Sequence, residues 1–128
     1  MAYIGLDMGS SYTKIALVSG GKAAREQNLA TPPGEKREMQ RYEVDAEAYW
    51  QQVYGLLCDY ADAGTEGILL STQMHGYVLT DADFRPLTPY VSWQDGLGKK
   101  HFAALCQAFD AEAVAPSGVP LKPNLALC

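Results

Sequence analysis

The chain has 128 residues, 15 acidic and 10 basic side chains, a formal net charge of −5 and a pI near 4.8. That length allows one domain with a real core, burying roughly two thirds of the unfolded surface, and is too short for a two-domain enzyme of ordinary size. The basic residues are scattered rather than patched, which argues against nucleic acid or an anionic membrane as partner, and no apolar run or leader-like opening predicts membrane insertion or secretion.

In chain order, residues 3–7 and 12–18 read as two strands around the turn Met8-Gly9-Ser10-Ser11. Asp7 closes an apolar run, so its charge needs a cation, a donor cluster or water. Gly9 lets backbone approach a ligand, and the amides of such a turn can form an anion-binding concavity. Ser10, Ser11 and Thr13 add hydroxyls, while Lys14 either supplies a point charge to a polyphosphate or sits exposed on the second strand. Turn chemistry of this kind is also common without a ligand. Neither G-x-x-x-x-G-K-[ST] nor a Rossmann G-x-G-x-x-G is present.

Ser19-Gly20-Gly21-Lys22 predicts a hairpin into a third strand near 22–30, which Thr31-Pro32-Pro33-Gly34 ends. A charged loop runs to Arg41. From Asp45 the period becomes helical, with Ala46, Tyr49, Trp50, Val53, Leu57 and Tyr60 on one face, Asp45 as N-cap and Gly64 as stop. Residues 67–71 read as a buried strand. Residues 77–80 and 88–93 flank the turn Asp81-Ala82-Asp83 as a hairpin-like pair, and a last helix spans 97–109 with Phe102, Leu105, Cys106 and Phe109 on its apolar side. The segment 110–128, with Pro116, Pro120 and Pro123, is loop-rich. Cys58, Cys106 and Cys128 are odd in number without C-x-x-C spacing, and read as reduced packing residues of a cytoplasmic protein. The pattern as a whole predicts an α/β fold.

Two further places carry candidate chemistry. Gln73-Met74-His75-Gly76 follows a strand end, where Met74 is either core filler or an apolar contact and His75 either a structural residue or a hydrogen-bonding one. Trp93 offers an apolar platform or belongs to the core. Asp95 accepts hydroxyl hydrogen bonds or caps the helix starting near Gly96.

Ile4-Gly5-Leu6-Asp7-Met8-Gly9-Ser10-Ser11-Tyr12-Thr13-Lys14 resembles the first phosphate motif of the actin-like ATPase superfamily. Ser71-Thr72-Gln73-Met74-His75-Gly76-Tyr77-Val78-Leu79-Thr80-Asp81 and Arg85-Pro86-Leu87-Thr88-Pro89-Tyr90-Val91-Ser92-Trp93-Gln94-Asp95 resemble the FGGY carbohydrate kinases, the xylulokinase-like branch in particular. Tyr42-Glu43-Val44-Asp45-Ala46-Glu47-Ala48-Tyr49-Trp50 and Ser117-Gly118-Val119-Pro120-Leu121 extend the likeness. The resemblance implies an incomplete ribonuclease H-like N-terminal domain, with a mixed sheet and flanking helices, whose nucleotide-side partner domain lies outside the chain.

It further implies ATP-dependent phosphorylation of a ketopentose or related polyol, with ATP and Mg2+ as cofactors. Asp7 would organise the metal, Gly9, Ser10, Ser11, Thr13 and Lys14 would address phosphate, and Gln73, Met74, His75, Trp93 and Asp95 would face the sugar. The base of these kinases, an Asp, is expected beyond Cys128, so the chain alone is expected not to turn over. Gln94 stands where many relatives carry Asn, and Gly96-Leu97-Gly98 lacks the Arg they place after the Asp. Two competing readings are a non-catalytic module that self-associates through exposed apolar surface and strand edges, and a metal-dependent nuclease on the same fold. The acidic charge and the lack of a second strand-end carboxylate argue against the nuclease.

Overall fold

Side chains that alternate in burial along the first strands give the main sheet one covered face. A computed structural model describes residues 1–36 and 41–109 of the chain. Its elements are β1 (Ala2–Met8), β2 (Tyr12–Ser19), β3 (Lys22–Ala30), β4 (Glu35–Lys36), β5 (Tyr42–Val44), α1 (Ala46–Tyr60), β6 (Thr65–Thr72), β7 (Tyr90–Val91) and α2 (Gly98–Ala108). They divide into two units, Met1–Pro33 with Asp45–Gln73, and Gly34–Val44 with the described part of Met74–Cys128.

The first unit is a four-stranded mixed sheet in the order β3-β2-β1-β6. The first three strands form an antiparallel meander, and β6 lies parallel to β1. The predicted turn between β2 and β3 is present, with Gly20 and Gly21 at φ 59° and 76°, the left-handed pair that a tight hairpin of native twist demands. Ile4, Leu6, Thr13 and Ile15 are the buried side chains of β1 and β2. They alternate with half-exposed neighbours, as a strand with one covered face requires.

Helix α1 packs against β2 through Tyr49, Val53, Leu56 and Tyr60. Burying an aliphatic side chain such as Val53 or Leu56 stabilises by roughly 1.5–3 kcal/mol. Asp45 caps the helix as expected, its Oδ1 accepting from the amides of Glu47 at 2.9 Å and Ala48 at 3.0 Å.

Four expectations need correction here. Trp50 lies outside the buried stripe and is half-exposed beside Tyr54, because a 100° step per residue carries it past the contact that Tyr49 makes. Gly64 does not stop α1: the helix ends at Tyr60, and Gly64 sits in a later turn that the Asp62 carboxylate holds by accepting its amide at 2.8 Å. Residues 67–71 are a strand but not a buried one, since β6 forms the sheet edge and Ile68, Leu69 and Leu70 are 51–70% exposed. Cys58 and Cys106 are exposed free thiols rather than packing residues.

The second unit contains a small antiparallel sheet, β4-β5-β7. Val44 and Val91 are buried on it, and the buried Glu43 carboxylate pairs with Arg41. The hairpin expected over 77–93 is reduced to the bridges Tyr77↔Val91 and Thr80↔Pro86. Its turn is locked by Asp81, whose Oδ1 accepts from the amides of Asp83 and Arg85, each at 2.9 Å. Helix α2 has Phe102 and Leu105 half-buried, as predicted, with Cys106 and Phe109 exposed. The expectations for 110–128, including Ser117 to Leu121 and Cys128, lie outside the described residues. Among the described residues no helix is long and apolar enough to cross a membrane.

Candidate functional site

In the first unit the carboxyl ends of β1 and β6 lie side by side, with Met8 level with Thr72. Ligands of open α/β sheets bind outside such strand ends. The turn that leaves β1 is tight: the Gly9 amide donates to the Tyr12 carbonyl at 3.0 Å. A Cβ on Gly9 would stand 2.8 Å from that carbonyl oxygen, so glycine is required by close approach. The Gly9 carbonyl accepts from Thr31 Oγ1 at 2.9 Å and Tyr49 Oη at 3.4 Å, and the Ser11 carbonyl accepts from the Thr31 amide at 3.0 Å. The amides of Ser10 and Ser11, both exposed, donate to no partner among the described residues. A turn with its Gly9 and Ser11 carbonyls held by the protein and its Ser10 and Ser11 amides open is suited to an anion.

Asp7 and Lys14 are register partners on β1 and β2, with Nζ 3.9 Å from Oδ2, and both side chains remain about half-exposed. They line an open cavity of about 470 Å³ with Gly5, Ala16, Asn28 and Ser71. A carboxylate with free lone pairs is a suitable hard-oxygen ligand for Mg2+, which takes few protein groups and completes its shell with water and phosphate. Among the described residues no three His, Cys, Asp or Glu side chains gather into a metal cage. Thr13 differs from the serines of the turn: it is 0% exposed, on the buried face of β2, and its Oγ1 has no partner among the described residues. Its hydroxyl therefore offers nothing to a ligand in solvent. Gln73 follows β6, its backbone amide donating to the Met8 carbonyl at 3.1 Å, and its buried Oε1 has no partner among the described residues.

The remaining candidates belong to the second unit. Met74 is 73% exposed, an apolar side chain held outward. His75 has φ 61°, in the left-handed region that costs a residue with a Cβ about 1–2 kcal/mol. The next residue has to be glycine, because a Cβ on Gly76 would overlap the Tyr90 hydroxyl. Trp93 is partly exposed. Asp95 is buried, with Oδ2 accepting from the Tyr42 amide at 2.8 Å and Oδ1 from the Leu97 amide at 2.9 Å. It thus braces the approach to α2, while each oxygen keeps a further lone pair.

Sequence reasoning missed Thr31 and Tyr49. Thr31 reads as a strand end before Pro32-Pro33, and Tyr49 as one apolar position among several. Only the reach of two hydroxyls to one distant carbonyl distinguishes them.

Residues 2–124 match the N-terminal domain of the FGGY family of carbohydrate kinases. A xylulose kinase of Staphylococcus xylosus is 33% identical over 101 residues, covering 74% of this chain and 21% of the relative. The chain therefore spans about a fifth of that protein's length. Among solved structures, a xyloylose kinase of Brucella ovis superposes with a TM-score of 0.77 at 26% identity, over 98% of this chain and 27% of the other. A gluconate kinase of Lactobacillus acidophilus superposes with a TM-score of 0.74 at 23% identity, over 96% and 26% respectively.

Proposed function

We propose, from the premise that this chain belongs to the FGGY family of carbohydrate kinases, that it forms the leading part of an ATP-dependent kinase. The γ-phosphate is transferred to a hydroxyl of a ketopentose, xylulose or a near relative. The observation that carries the reading is the β1–β2 turn, with its Gly9 and Ser11 carbonyls occupied and, among the described residues, no partner on the Ser10 and Ser11 amides beside Asp7.

In this reading Ser10 and Ser11 receive phosphate oxygens through backbone N–H groups, Gly9 lets the turn come close to the anion while its own N–H is held by the Tyr12 carbonyl, and Lys14 adds positive charge from the neighbouring strand. Asp7 holds Mg2+, which when bound neutralises charge on the transferring phosphate. Thr13 is left out of the phosphate set because its side chain is enclosed. Gln73, Met74, His75 and Trp93 contact the sugar: the thioether and indole offer apolar surface to its carbon face, the amide and imidazole hydrogen-bond its hydroxyls. Asp95 supports this set with its remaining lone pairs and by bracing residues 95–97.

Phosphoryl transfer also needs a group that accepts the hydroxyl proton, and none of these residues is assigned that role. Residues 1–128 are accordingly proposed to bind without turning over. Titration of the 15N-labelled chain with xylulose, ribulose, xylitol and glycerol tests the sugar side. Saturable shifts for one sugar that disappear in His75→Ala support the reading. Sugar-dependent ATP consumption by the purified chain, abolished by Asp7→Ala, would overturn the claim that it does not turn over.

A further inference from the structure

One carbonyl in the first unit receives two hydroxyls from residues that the kinase reading leaves unused. Thr31 Oγ1 and Tyr49 Oη both donate to the Gly9 oxygen, and both side chains are more than nine-tenths buried. Thr31 also donates its amide to the Ser11 carbonyl, so one residue grips the turn on both sides of Ser10. We propose that Thr31, assisted by Tyr49, is a positioning residue for phosphate: it holds the Gly9–Ser10 peptide plane with the Ser10 N–H directed away from the protein, towards the anion. The inference rests on the phosphate reading of the turn and adds the device that orients it.

The physical basis is the planarity of the peptide bond. In a trans peptide the C=O of one residue and the N–H of the next point in opposite directions, and no cis peptide occurs among the described residues. Fixing the Gly9 oxygen inward therefore fixes the Ser10 N–H outward. Without the hydroxyls this plane could rotate with little resistance, because Gly9 has no Cβ and the two residues after it, Ser10 and Ser11, are short. Thr31 is itself restrained. A residue before proline is confined to extended backbone, and Thr31 precedes Pro32-Pro33 at the end of β3. At 2.9 Å the Thr31 bond is the principal one, and the 3.4 Å Tyr49 bond is the weaker. Restraint before binding removes an ordering cost that the ligand would otherwise bear.

The test is an NMR titration of the 15N-labelled chain with Mg-ATP and, separately, with magnesium and inorganic tripolyphosphate, following the Ser10 and Ser11 amides. Thr31→Val keeps the shape and the amide bond to Ser11 but removes the hydroxyl, and Thr31→Ser restores it. Dissociation constants should rise about five- to tenfold in Thr31→Val and about two- to threefold in Tyr49→Phe, the scale of freeing one restrained group. They should return close to wild type in Thr31→Ser, and the Ser10 amide resonance should move in the ligand-free Thr31→Val chain. Equal affinity of wild type, Thr31→Val and Tyr49→Phe overturns the inference and leaves the phosphate reading standing. Thr31→Ser as weak as Thr31→Val also overturns it, because packing by the Thr31 methyl would then be the cause. Should Thr31→Val unfold, Tyr49→Phe and Thr31→Ser decide by the same comparison. No saturable shift in the wild-type chain overturns the phosphate reading itself, and this inference with it.

Discussion

Lys14 and Asp7 face each other across β1 and β2 as register partners, with 3.9 Å between Nζ and Oδ2. Both are substantially solvated, and exposed ion pairs contribute about 0–1 kcal/mol. Asp7→Asn should therefore leave the thermal midpoint nearly unchanged while removing magnesium-dependent nucleotide binding. Calorimetric titration with ATP, with and without magnesium, checks this against a parallel melt. A large fall in stability would mean that Asp7 is a structural residue.

Gly9 is a steric requirement of the turn. In Gly9→Ala the new Cβ would stand 2.8 Å from the Tyr12 carbonyl, so the backbone has to shift. Strain of this kind costs on the order of 1–3 kcal/mol. Urea denaturation should show that loss, and Mg-ATP binding should weaken by more than stability alone explains, because the Ser10 amide is re-aimed. Unaltered binding in Gly9→Ala would remove the turn from the proposed phosphate site.

His75 combines an imidazole with a left-handed backbone at φ 61°. Relief of that conformation in His75→Gly should stabilise the chain by about 0.5–1 kcal/mol after glycine's larger unfolded entropy is allowed for. Binding of xylulose should be lost in the same variant. A variant both more stable and inactive in binding is the signature of strain retained for a ligand; a more stable variant that still binds would make His75 incidental.

Asp95 calls for a milder substitution than alanine. Its two oxygens accept from the Tyr42 and Leu97 amides, so Asp95→Ala leaves buried donors without partners at about 1–3 kcal/mol each. We expect Asp95→Ala to destabilise strongly and Asp95→Asn, which keeps one acceptor oxygen, to be intermediate. Chemical denaturation of the two variants orders them. Loss of sugar binding in Asp95→Asn beyond the fraction unfolded would then support a direct contact.

Ile68, Leu69 and Leu70 stand exposed on β6, the edge of the four-stranded sheet among the described residues, and we expect this apolar edge to promote self-association. Leu69→Lys should lower any concentration-dependent mass seen by light scattering. A wild-type chain that stays monomeric across the same range would sink this expectation.

The local chemistry of the chain was legible before the fold. An apolar run marked β1, the Gly20-Gly21 pair marked the turn from β2 into β3, and Asp45 marked the start of α1, because each is decided by neighbours within a few residues. The motifs around Asp7 and His75 were legible for the same reason, being short and contiguous. Residues 67–71 were misread as buried because an apolar run records the burial a strand is suited to, not the side of the sheet on which it lies. Trp50 and Gly64 were misread because helix phase and helix end depend on where the sheet meets α1.

Sequence alone therefore determined the α/β pattern, through steric and periodic rules that act over short separations, while the family and the roles of the candidate residues were read from the resemblance of short motifs. Tertiary structure alone decided which of those residues have solvent to meet a ligand: Thr13 is enclosed, Asp95 is bound to two amides, and the Ser10 and Ser11 amides have no partner among the described residues. It also brought Thr31 and Tyr49, 22 and 40 residues from Gly9 in the chain, onto one carbonyl oxygen. No local rule contains that meeting, because hydrogen-bond partners so far apart are selected by strand register and helix packing together.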